Sequence, residues 1–252
     1  DILIVLGIVG GVATTLGLGV PLVSAMIATL FEVEDSMLIK ISVLAFWTAL
    51  FGTSVYKGLK AGIKILADIN VVLAIFAILF VLVAGPGVFI LDLTVNSFGL
   101  MFSNFMSTAT WTDPIREGDF PEAWTGFYWA WWFAYTGMVG LFFGRISRGR
   151  TIRQLVLGVI TWGCIGTWLF LAVMGGYSLF LEKTGALAVT EILNSQGMSF
   201  LNALVIKSLP FGKITLAIFT VLSIIFYATT IDSSAYVISS ICAKDLENTQ
   251  EP

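Results

Sequence analysis

The sequence contains no histidine, only two cysteines and few charges, with Asp, Glu, Lys and Arg making up 12% of its 252 residues. Without histidine there is no imidazole base, no serine or cysteine triad built on one, and no histidine metal ligand. Cys164 and Cys242 both lie in apolar runs, which excludes a disulfide framework and a CxxC redox or zinc site. The shortage of charge excludes a soluble fold, because soluble chains are about a quarter charged. Net charge is -3, with no long basic run or RNA-binding motif, so nucleic acid is not an expected partner. What the chain has instead is apolar bulk: 58% hydrophobic residues and a mean hydropathy of +0.96. Lipid is the solvent for such a composition, and the expected fold class is all-α, a polytopic membrane protein.

A membrane helix needs about 20 apolar residues. That length gives six candidate spans: Ile2–Thr29, Met37–Tyr56, Ile65–Ala84, Ala123–Gly144, Leu155–Tyr177 and Lys213–Ala243. Two further apolar stretches, Gly87–Met106 and Leu187–Leu209, are interrupted and read as interfacial helices. The expected organisation is one transmembrane region over 1–252: three spans in 1–85, an extracytoplasmic connector over 86–122, and three spans in 123–252. Asp1 is followed at once by uncharged residues to Phe31, with no initiator Met, no basic leader and no cleavage site. The first residues are therefore expected to begin an internal membrane helix of a longer protein.

Lys and Arg orient membrane helices towards the cytoplasm. Loop 57–64 carries Lys57, Lys60 and Lys64, loop 145–153 carries Arg145, Arg148, Arg150 and Arg153, and neither holds an acid. The opposite loops are mainly acidic: Glu32, Glu34 and Asp35, then Asp92, Asp113, Glu117, Asp119 and Glu122 against a single Arg116. Alternating spans place loops 57–64 and 145–153, with Lys244, on the cytoplasmic side of the plasma (inner) membrane. The arginine loop RISRGRTIR suits anionic lipid headgroups, and equally a cytoplasmic gate or docking site.

The fourth span holds Trp124, Tyr128, Trp131, Trp132 and Tyr135 at i, i+4, i+7, i+8 and i+11, one face of a helix. An interfacial aromatic belt explains Trp124 and Tyr128. Tyr135 lies roughly 16 Å deeper at about 1.5 Å per residue, beyond the reach of a belt. Rings at that depth serve either helix packing or recognition. No carboxylate occurs between Ala123 and Gly144, so a cation bound there would rest on ring faces. That arrangement suits quaternary ammonium ions, which donate no hydrogen bond. In the sixth span, Thr229, Thr230, Asp232, Ser233 and Ser234 interrupt an apolar run. An intramembrane acid such as Asp232 is either a functional group or a carboxylate satisfied by neighbouring hydroxyls. The two threonine hydroxyls with the Phe226 carbonyl are hard oxygen ligands for a small cation, although such hydroxyls also bond back to their own helix.

The run FYWAWW (Phe127 to Trp132), followed by RISRGRT (Arg145 to Thr151), closely resembles the betaine/choline/carnitine transporter family. The similarity extends in register over LGLGVPL (Leu16 to Leu22), Gly85-Pro86-Gly87 and TIDSS (Thr230 to Ser234). It implies an inverted-repeat transporter core, of which this chain would supply the fifth to tenth of twelve helices. It further implies that Trp131 and Trp132 form half of a box for a trimethylammonium group, with Tyr135 and Trp129 on the access path. Phe226, Thr229 and Thr230 would be half of a sodium site, and the full-length protein would be a homotrimer. Members that bind a second sodium carry threonines where this chain has Ile8 and Val12, so that site is not implied. Sodium-independent carnitine exchangers, which this chain resembles around Trp111-Thr112-Asp113-Pro114, place an arginine where it has Asn70. The expectation is a sodium-coupled secondary transporter of a quaternary ammonium solute, with no organic cofactor and no enzymatic activity. A sodium-independent exchanger, a proton-coupled carrier using Asp232, an amino-acid symporter of similar core, and a channel or auxiliary subunit are the alternatives.

Overall fold

The computed structural model describes residues 2–57, 60–115, 118 and 120–242. Arg116, Glu117, Asp119 and Lys244 lie outside the described residues, as do the side chains of Lys57, Lys60, Lys64 and Arg145. Ten α-helices and one π-helical turn, with no strand among the described residues, run in the order α1 Ile2–Phe31, α2 Met37–Lys57, α3 Lys60–Ala84, α4 Gly87–Ser103, α5 Phe105–Ala109, the π-turn Pro121–Gly126, α6 Phe127–Ile146, α7 Ile152–Thr184, α8 Val189–Gln196, α9 Met198–Lys207 and α10 Gly212–Cys242. Each of the six expected spans corresponds to one long helix.

Among the described residues, four helices carry a window apolar enough to cross a membrane by length and composition: Ile2–Phe31, Ala67–Ala84, Ile152–Thr184 and Gly212–Ser239. In α2 the apolar stretch is Met37–Leu50. The α6 helix has 20 residues, the length of a span, but the N–H and O–H groups of its Trp and Tyr side chains lower its hydropathy. Its length is spent on rings rather than aliphatic side chains. The Gly87–Met106 stretch divides at Asn104 into α4 and the short α5.

The most central helix is α1, which packs against α2, α6, α9 and α10. Its sequence explains this: Gly7, Gly11, Thr15 and Gly19 recur every four residues and form one narrow stripe. Pro21 lies inside α1. One buried cluster joins Met26, Val81, Val173, Leu181, Val205 and Leu216, from five long or interfacial helices. A second centres on Val23, Val43 and Trp47, with Tyr227 packed against it. Trp47 satisfies its indole N–H by donating to the Ile224 carbonyl at 3.3 Å.

The helix ends follow from their terminal residues. Thr151 opens α7 with a capping box: its hydroxyl accepts from Gln154 N–H at 3.3 Å, and Gln154 Oε1 accepts from Thr151 N–H at 3.0 Å. The helix runs to Thr184, past the expected end at Tyr177, because its stop signal is Gly185 in the left-handed conformation at φ 69°.

At the acidic end, Glu32 has φ 58° and pairs with Lys213 at 3.0 Å and Lys207 at 3.5 Å. Lys207 also donates to the Thr29 carbonyl at 3.4 Å, while Asp35 accepts from Ser24 and pairs with Lys40 at 3.1 Å. This end is thus not purely acidic: lysines from α2, α9 and α10 neutralise the loop after α1. The hydrogen bond and charge of Lys213, with those of Lys207, hold the Glu32 carboxyl below its ordinary range. A lowered carboxylate pKa stabilises the fold above the unfolded-state value, and that contribution is lost as pH falls through the folded value. Thermal denaturation is therefore expected to show a small loss of stability on acidification through the carboxylate range. Glu32→Gln should remove that component, and a variant with the wild-type pH profile would contradict the assignment.

Candidate functional site

The π-turn leads directly into α6, and the rings on this segment form a continuous ladder. Trp124 stacks on Tyr128 with centroids 6.2 Å apart, Tyr128 meets Trp131 at 6.0 Å, and Trp131 meets Tyr135 edge to face at 6.1 Å and 72°. Helical periodicity alone accounts for this order. The ladder ends at a cavity of about 280 Å³ between α1, α6 and α10. Its walls are Trp131, Trp132, Tyr135 and Val139 from α6, Thr15 and Leu18 from α1, and Phe226, Tyr227 and Thr230 from α10. None of the nine is charged. The volume lies just under the usual range for ligand pockets, about 300–1,000 Å³, which suits a small solute.

Two tyrosines are seated on glycines of α1. A Cβ on Gly11 would lie 2.7 Å from the Tyr135 ring, and one on Gly19 would lie 2.5 Å from the Tyr227 ring. Only the missing side chains permit the rings to approach the α1 backbone so closely. Tyr135 also hydrogen-bonds Thr15, with its hydroxyl 2.7 Å from Oγ1. Tyr227 is braced from the far side by Trp47, with ring centroids 5.4 Å apart.

Of the candidate cation ligands, Phe226 and Thr230 line the same cavity and Thr229 is next to them in sequence. Thr229 and Thr230 donate their hydroxyl protons to the Phe226 carbonyl at 2.8 and 3.1 Å. This is the back-bonded arrangement common to hydroxyls in membrane helices. It leaves the lone pairs of both hydroxyl oxygens available, and three oxygens converge within one turn. The helix is unbroken there, so the Phe226 carbonyl also serves the backbone ladder and the two hydroxyls are the freer ligands. The donor set fits half of a hard-cation shell. Asp232 is half-buried on α10 and does not line the cavity, while Ser234 donates to Thr230 O at 2.8 Å and contacts Met138 of α6 at 3.2 Å. Asn70 is buried and its Oδ1 has no hydrogen-bond partner.

The structure thus brings together Trp131, Trp132, Tyr135, Phe226 and Thr230, with Thr229 adjacent. It does not bring Trp129 to them: that ring is 63% exposed and packs on Phe133 at 5.8 Å. Arg148, Arg150 and Arg153 are exposed in and just after the turn between α6 and α7, away from the cavity lining. Thr15, Leu18, Val139 and Tyr227 are additions that the sequence reading missed. The four-residue glycine stripe of α1 was the available signal for Thr15, and the ring next to Phe226 was the signal for Tyr227. A second cavity of about 280 Å³ lies between α4 and α7. Its two rings, Phe98 and Trp168, are engaged with each other edge to face at 5.2 Å, so it offers no aromatic box.

An uncharged, ring-walled cavity among apolar helices has the chemistry to hold a cationic group on ring faces. The whole chain, residues 1–252, matches the model of the BCCT, betaine/carnitine/choline family transporters, and the chain belongs to that family. It is thus a multi-pass membrane protein of a transporter family, not an enzyme family. It is 31% identical over its full length to a carnitine transporter of Acinetobacter baumannii, and 34% identical over 241 residues to the glycine betaine transporter OpuD of Bacillus subtilis. It is also 35% identical over 246 residues to a high-affinity choline transport protein of Escherichia coli. These alignments cover 100%, 94% and 97% of the chain but 46%, 46% and 36% of the relatives, so the chain spans less than half their length.

Proposed function

We propose that this chain forms the central part of a secondary transporter that moves a small quaternary ammonium solute across the plasma membrane by alternating access, coupled to sodium. The observation that carries the reading is the cavity walled by Trp131, Trp132, Tyr135, Phe226 and Tyr227 with no charged side chain in its lining. A trimethylammonium group offers no N–H to satisfy, so carboxylate acceptors are unnecessary and ring faces supply the attraction. A primary ammonium would find no carboxylate among the lining residues, only a few hydroxyls for its three donors. Glycine betaine, choline and carnitine share the favoured headgroup.

In this reading Thr229 and Thr230, with the Phe226 carbonyl, give sodium its α10 ligands, and Thr230 lies in the wall of the solute cavity as well. A cation and a solute sharing one wall of α10 would bias the same rearrangement, which is the requirement for coupling. The three spans on either side of the connector would be the corresponding parts of an inverted repeat. Loops 57–64 and 145–153 would face the cytoplasm, with Arg145, Arg148, Arg150 and Arg153 against anionic lipid, in a homotrimer of the full-length protein. Asn70 is uncharged, so no arginine stands in for the ion.

Uptake of labelled substrate in sodium and in potassium buffers tests the coupling. Transport should require sodium, and Thr229→Ala with Thr230→Ala should raise the sodium concentration for half-maximal uptake by about tenfold, the loss of roughly 1.4 kcal/mol. Full uptake in potassium alone would exclude the coupling and leave the solute assignment intact.

A further inference from the structure

Thr15 stands where α1 meets the aromatic wall. It is 8% exposed, and its Oγ1 lies 3.0 Å from the Gly11 carbonyl oxygen and 2.7 Å from the Tyr135 hydroxyl. A threonine hydroxyl has one proton. The Gly11 carbonyl can only accept, so the proton of Thr15 goes there and Tyr135 donates to Thr15. The result is a one-way series from Tyr135 through Thr15 to the α1 backbone.

Two physical consequences follow for the cavity. The tyrosine ring is fixed at both ends, by its own backbone and by this hydrogen bond, in the seat that Gly11 leaves open. Its position in turn sets the edge-to-face contact with Trp131, a second cavity wall. A phenol that donates its proton also gains electron density, because hydrogen bonds in series polarise one another. A more electron-rich ring holds a cation more strongly on its face.

We propose that Thr15 is a positioning residue for solute binding: through its hydrogen bond it holds Tyr135, and by way of Tyr135 the Trp131 ring, in the geometry that grips a quaternary ammonium group. The inference rests on the assignment of this cavity as the solute site. Simple helix packing would also use such a bond, at about 0.6–2 kcal/mol in a membrane. The two roles differ in what an affinity measurement registers.

The test uses protein expressed from the intact gene, titrated with glycine betaine, choline and carnitine while tryptophan fluorescence is followed. For whichever solute quenches, Thr15→Val, which keeps the shape of the side chain, should weaken affinity by about fivefold to tenfold, the worth of one buried hydrogen bond. Tyr135→Phe should do the same. The double variant should be no weaker than either single one, because both remove one bond, and Thr15→Ser should restore wild-type affinity. Wild-type affinity in Thr15→Val, losses that multiply in the double variant, or failure of serine to restore binding would each overturn the proposal. If the unsubstituted protein responds to none of the three solutes, the solute-site assignment fails first and the proposal falls with it.

Discussion

Replacing Trp132 by leucine is expected to weaken binding of a quaternary ammonium solute by about 30-fold. Trp132 lines the cavity, yet 67% of it is exposed and, among the described residues, it has no ring partner at the distances seen along the ladder. Its indole face is therefore available to a ligand instead of being spent on packing, and the substitution removes little of the helix interface. A solute bound against that face shields it, and a cation–π contact so desolvated contributes about 2 kcal/mol, against about 0.5–1 kcal/mol for an exposed ring; the larger figure converts to the stated factor. Leucine keeps apolar bulk but has no quadrupole, so the change isolates the electrostatic part of the interaction. Fluorescence or isothermal titration of the intact protein measures it directly. Unchanged affinity would remove Trp132 from the site, whatever the fate of its neighbours.

The second expected result is a reversal of sign along α1. Alanine is a better helix former than glycine by about 1 kcal/mol, so Gly10→Ala, where an added Cβ meets nothing within 4 Å, should raise the melting temperature or leave it unchanged. Gly19→Ala puts the same methyl 2.5 Å from Cε1 of Tyr227, and Gly11→Ala puts it 2.7 Å from Cε2 of Tyr135. Neither ring can yield freely: Trp47 backs Tyr227, and Thr15 holds the Tyr135 hydroxyl. Overpacking of this kind costs about 1–3 kcal/mol. Both variants should melt lower than wild type, and both should lose solute affinity because each displaced ring is a cavity wall. A Gly19→Ala protein as stable as Gly10→Ala would show that Tyr227 does not rest on α1.

The helices were legible because the relevant signals are local. Apolar runs of membrane length, separated by polar stretches such as Ser147 to Thr151, mark where one helix ends and the next begins. The aromatic face of α6 was legible for the same reason, since side chains spaced by three or four residues share a side of the helix. That periodicity also shows why the Trp129 ring points away from the others. At about 100° per residue it shares its direction with Phe133, as the 5.8 Å ring contact confirms. The opposite wall was not legible. Thr15 and Tyr135 are separated by 120 residues, and no local period indicates that a glycine stripe on one helix receives tyrosines from two others. The α7 helix outruns the span expected from apolar length: Gly175 and Gly176 both lie inside it, Gly176 packs on Ile90, and the helix stops only at Gly185.

Pro21 carries a mechanical consequence for α1. Proline has no N–H, so the Gly17 carbonyl lacks its partner four residues on, and the helix is softest against bending between those positions. On one side lie Gly7, Gly11 and Thr15 with Tyr135 seated among them, while Gly19 and its Tyr227 fall within the soft stretch. On the other lies the segment ending at Glu32, moored to α9 and α10 by Lys207 and Lys213. The moored half is fixed by ion pairs, and the other half carries Thr15 of the cavity wall. A bend there would move Thr15, and with it the Tyr135 it bonds, relative to the anchored end without breaking an ion pair, so the shape of the cavity depends on a residue that does not line it.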